Sequence, residues 1–130
     1  MHLSFDEVGA LLDELAEPFP EALFEGLNGG VHLVRDTVPD ETLPEAELYV
    51  MGEYREDLLG RYINLYYGSF LAVAEKEEWT LEDWRQELRQ TLSHELTHHM
   101  EGRGGLHALE DQDAEEMEAW RKQYGGEPKE

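Results

Sequence analysis

The stretch from Thr80 to Gly102 limits this chain more than any other, because it reads as one unbroken helix. Thr80 is a good N-cap, and Glu82 and Asp83 fall in the first turn, where the helix dipole favours anions. The helix runs to about Glu101 and stops at Gly102, Gly104 and Gly105. At ~1.5 Å per residue it is roughly 30 Å long. Leu81, Trp84, Leu88, Leu92 and Leu96 form one apolar stripe along it. His94 and His98 share a neighbouring face, with Glu95 between that face and the stripe. Burying the leucines therefore leaves both histidines at the rim of the core.

The rest of the chain supplies partners for the stripe. Ser4 and Glu7 make a capping-box pattern ahead of Phe5, Val8, Leu12 and Leu15, so a helix is expected over about 5–17, stopped by Pro18 and Pro20. A further helical turn carries Leu23, Phe24 and Leu27, and Asn28-Gly29-Gly30 breaks it. Val31–Val34 reads as a short strand, and 36–47 as an acidic, proline-containing loop. Leu48–Tyr54 and Arg61–Tyr67 read as two strands of a hairpin, followed by a short helix over 68–75. A last helix is expected over about 114–124, with a loose tail at 125–130. Helices, then strands, then helices make an α+β domain in which a small sheet packs against the long helix.

The long helix holds His94-Glu95-Leu96-Thr97-His98, a His-Glu-x-x-His pattern. Side chains at i and i+4 sit one turn apart on one face, so two imidazoles can converge on one tetrahedral ion. The intervening glutamate lies beside such an ion and can take a proton from water that the ion has acidified. His94 and His98 are thus the expected metal ligands and Glu95 the expected general base. Two surface histidines without metal are the plainer alternative. His99 lies on the apolar stripe with Leu88 and Leu92 and reads as a core histidine.

Composition closes several other routes. The 130 residues suit one domain, and the absence of cysteine excludes disulfides, thiolate catalysis and cysteine-held zinc. Any metal must be held by His, Asp or Glu. The formal net charge of −21 repels a phosphate backbone, so no nucleic-acid partner is expected. A basic partner or substrate would be attracted, although the same charge also serves simply as a solvated acidic surface. The first residues carry no basic stretch and no signal-length apolar run, and no segment approaches membrane-spanning length, so a cytoplasmic location without membrane contact is expected.

The stretch Thr91–His99 resembles the bacterial minimal zincins, a family of zincin-like zinc metallopeptidases. The run from Leu58, Gly60, Arg61, Tyr62 and Ile63 through Tyr67-Gly68-Ser69-Phe70 is similar to a subgroup of that family. The likeness runs from about residue 4 to 120. It implies one zincin-like domain over 1–124, a Zn2+ ion bound by His94 and His98, and Glu95 as catalytic base. The commoner family pattern has a glycine three residues after the second histidine and an aspartate ligand three residues later. Here those positions are Glu101 and Gly104, so the third ligand must come from elsewhere. The run Leu109–Asp113 is similar to the acidic segment carrying the family's aspartate, which makes Asp113 the favoured ligand. Glu101, Glu110, Asp111 and His107 remain open as alternatives.

The expected function is zinc-dependent hydrolysis of peptide bonds. The substrate, a peptide or protein of basic character, would lie along a sheet edge, with Tyr62–Tyr67 as the expected edge strand. The alternative is a non-enzymatic acidic interaction protein, with a structural zinc or none. Oligomeric state is not legible in the sequence.

Overall fold

The computed structural model describes residues 1–42, 48–58 and 60–102. The first helix, α1 (Phe5–Ala16), opens on a reciprocal cap. The Glu7 amide donates to Ser4 Oγ at 3.1 Å, and the Ser4 amide donates to Glu7 Oε1 at 2.8 Å. Its Val8, Leu11, Leu12 and Leu15 are buried. A 3-10 turn at Glu21–Phe24 then leads into the sheet, burying Leu23.

The sheet consists of β1 (Gly30–Val34), β2 (Gly52–Asp57) and β3 (Gly60–Tyr66), in the order β1-β3-β2. β3 runs parallel to β1 and antiparallel to β2. This overturns the expectation that Tyr62–Tyr67 forms an edge: β3 is central, and β1 and β2 are the edges. Ile63, Leu65 and Tyr66 of this central strand are buried.

The hairpin is also tighter than expected. β2 begins at Gly52 and reaches Asp57, which pairs with Gly60. Glu56 and Asp57 are poor strand formers by propensity, but cross-strand contacts hold them. Arg61 Nε donates to Glu56 Oε2 at 3.2 Å, and Tyr62 donates its hydroxyl to Asp57 Oδ2 at 3.1 Å.

β3 passes directly into α2 (Tyr67–Glu77), which ends with Glu78 in the left-handed region at φ 52°. The long helix α3 (Leu81–Gly102) follows. Its cap is reciprocal as well: Thr80 Oγ1 accepts from the Asp83 amide at 3.2 Å, and Asp83 Oδ2 from the Thr80 amide at 2.9 Å. Trp84, Leu88, Leu92 and Leu96 are fully buried, as the stripe requires. Leu81 is the exception at 43% exposure, because it is the first helical residue and lies beyond the packed length. These residues join Ile63 and Leu65 of β3 and the apolar face of α1 in one core. Burying each large aliphatic side chain contributes about 1.5–3 kcal/mol.

The architecture is therefore α+β, a small sheet with the long helix packed across one face. Among the described residues no helix is long and apolar enough to cross a membrane.

Candidate metal centre

Two contacts bring α3 close to the β2 edge of the sheet. A Cβ at Gly52 would lie 2.7 Å from Leu65 Cδ2 and 3.0 Å from Thr91 Cγ2. Only glycine lets the start of β2 approach α3 this closely, one turn before His94. Further along, His99 is fully buried and joined to Tyr54 of β2, with its Nδ1 3.2 Å from the tyrosine hydroxyl. Its Nε2 lies 2.7 Å from the Glu25 carbonyl oxygen. A carbonyl only accepts, so Nε2 carries the proton, and in the neutral ring Nδ1 accepts from Tyr54. The sequence marks His99 as a core histidine, and that is its environment. Nothing in the sequence marks Tyr54 as its partner.

Half-buried His94 and exposed His98 stand together, one turn apart on α3. Their Nε2 atoms are 3.1 Å apart, and the rings meet at 88°. Two imidazole nitrogens on one tetrahedral zinc, each at ~2.0–2.1 Å, stand about 3.3 Å apart. The pair thus needs to open by only a fraction of an ångström to hold an ion. Both donors are borderline-soft nitrogen, which suits zinc better than calcium or magnesium. Glu95 is buried, with 6% of its surface exposed.

Glu101 stands elsewhere in this cluster. Its Oε1 lies 3.6 Å from His98 Nδ1, the ring nitrogen that does not face His94. It is therefore placed to orient the ring by charge rather than to bind beside the two Nε2 atoms. The i, i+3 spacing of His98 and Glu101 is the sequence signal for this contact. Among the described residues no three His, Asp or Glu side chains converge as a metal site. Asp113, Glu110, Asp111 and His107 lie outside the described residues, as do the helix expected at 114–124 and the tail at 125–130.

Comparisons with known proteins identify the family. Residues 30–121 match the zincin-like metallopeptidase family. The chain is also similar to a solved structure, a conserved hypothetical protein from Thermo thermophilus, with 34% identity and a TM-score of 0.65. The alignment covers 78% of this chain and 97% of that one. No curated protein matches. The chain belongs to the zincin-like metallopeptidase family. Zinc is the metal that membership implies.

Proposed function

We propose that this protein is a zinc-dependent metallopeptidase in which His94 and His98 hold the ion and Glu95 is the general base. The observation that carries the reading is the 3.1 Å separation of the two Nε2 atoms on an accessible helix face, beside a buried carboxylate. Asp113 is proposed as third ligand.

Zinc held there would supply Lewis acidity, lowering the pKa of a water and polarising a carbonyl. Glu95 accepts the proton given up by the attacking water and delivers it to the leaving amine nitrogen. The substrate is a peptide of basic character, favoured by the net charge of −21. It would run in extended form along β2, the edge strand whose Tyr54 touches the site helix.

Metal analysis of protein purified without added metal is expected to find about one zinc per chain. Little zinc, with none taken up on reconstitution, refutes the metal reading. Peptidase assays on Glu95→Gln separate the two functional classes. An enzyme loses turnover by about 100-fold or more while keeping zinc and fold. A variant that keeps the protein's function intact points instead to an acidic interaction protein.

A further inference from the structure

The two edges of the sheet are guarded very differently. β2 reads Gly-Glu-Tyr-Arg-Glu-Asp and carries four charged residues, the usual protection of an edge against pairing. β1 reads Gly-Val-His-Leu-Val and carries no Asp, Glu, Lys or Arg. β3 occupies one side of β1, and no strand pairs with the other among the described residues. Beside this edge lies a groove of about 380 Å³ between α1 and β1. Phe5, Leu12, Val31 and Leu33 give it apolar walls, and Asp6 and Asp13 stand at its rim.

Gly9 also lines this groove. It sits within α1, where glycine costs about 0.5–1 kcal/mol relative to alanine. Packing among the described residues does not require that cost. A Cβ at Gly9 would meet only Leu33 Cδ2, at an ordinary 4.0 Å. The space kept free by Gly9 thus has no use in the packing of the described residues. The rim already holds one cation: the Arg35 guanidinium lies 4.0 Å over the Phe5 ring.

We propose that the groove between α1 and β1 is a docking site for an extended partner segment that alternates apolar with lysine or arginine side chains. The segment adds as a strand to the free edge of β1. Its apolar side chains enter the groove against Val31 and Leu33, and its cations meet Asp6 and Asp13. A second copy of this chain is a poor occupant, because each copy brings a charge of −21. The site lies at the opposite edge of the sheet from β2, so it does not depend on the metal reading.

The test uses the full chain carrying Glu95→Gln, so that any peptidase activity leaves the probe whole. The probe is a short capped peptide of alternating lysine and valine, followed by amide shifts of the isotope-labelled protein and by fluorescence anisotropy. Shifts confined to Phe5–Asp13 and Val31–Val34 are expected. Adding Gly9→Leu fills the groove without altering charge, and it is expected to weaken binding about tenfold or more while thermal stability holds. If that variant folds poorly, Asp6→Asn with Asp13→Asn gives the second reading, with weaker binding and a flatter salt dependence. Shifts centred on β2 or scattered over the acidic surface overturn the proposal, as does unchanged binding in folded Gly9→Leu. Sedimentation showing a dimer that Gly9→Leu dissociates overturns it in favour of self-association.

Discussion

Tyr54 and His99 tie the helix bearing the paired histidines to the edge strand beside it, hydroxyl to Nδ1 at 3.2 Å. The bond joins β2 to α3 one residue beyond His98, and the other ring nitrogen reaches the turn after the 3-10 segment at Glu25. One buried side chain thus fixes α3 against two separate parts of the fold.

Replacing His99 by Leu should therefore cost more than a surface change. It removes the hydrogen bonds that His99 makes with the Glu25 carbonyl and the Tyr54 hydroxyl, for about 2 kcal/mol in all. Tyr54→Phe should cost about 1 kcal/mol. Denaturant unfolding of both variants measures this. Equal, negligible losses would mean that the contact does not anchor the helix.

Glu101→Ala should weaken zinc binding by roughly tenfold or more without abolishing it, since the carboxylate supports His98 from its far nitrogen. Competition with a chelator of known affinity reads the change. Complete loss of stoichiometric zinc would make Glu101 a ligand instead.

His94→Ala, His98→Ala and Asp113→Ala should each abolish stoichiometric zinc, whereas Asp111→Ala should spare it. Elemental analysis of the four purified variants decides. Equal loss in both aspartate variants contradicts the choice of Asp113.

Ser93 is fully buried, and its Oγ has no hydrogen-bond partner among the described residues. A buried, unpartnered hydroxyl costs about 1–3 kcal/mol. Ser93→Ala should thus be neutral or raise stability by about 1 kcal/mol in thermal unfolding. A marked fall in melting temperature would show that the hydroxyl is in use.

The Ser4 backbone amide and hydroxyl, both bonded across the cap of α1, hold the Glu7 carboxyl below its ordinary pKa of 4.5. A lowered folded-state value stabilises the fold above the unfolded pKa, and the benefit is lost as pH falls through the folded one. Melting temperatures of the parent and Glu7→Gln should therefore differ near neutrality and converge in acid. A gap that stays constant with pH would exclude the carboxylate as its source.

The sequence alone determined the features that depend on near neighbours. The caps at Ser4 and Thr80 and the stripe from Trp84 to Leu96 follow from helical periodicity. So does the convergence of His94 and His98, because i and i+4 meet on any α-helix. Only the tertiary structure decided what depends on distant pairing. Strand order is one case: β3 lies between β1 and β2, and no local signal in Tyr62–Tyr66 distinguishes a centre from an edge. The extension of β2 through Glu56 and Asp57 is another, because Arg61 and Tyr62 across the hairpin overcome their low strand propensity. The Tyr54–His99 bond spans 45 positions and could be found only once Gly52 had let β2 approach α3.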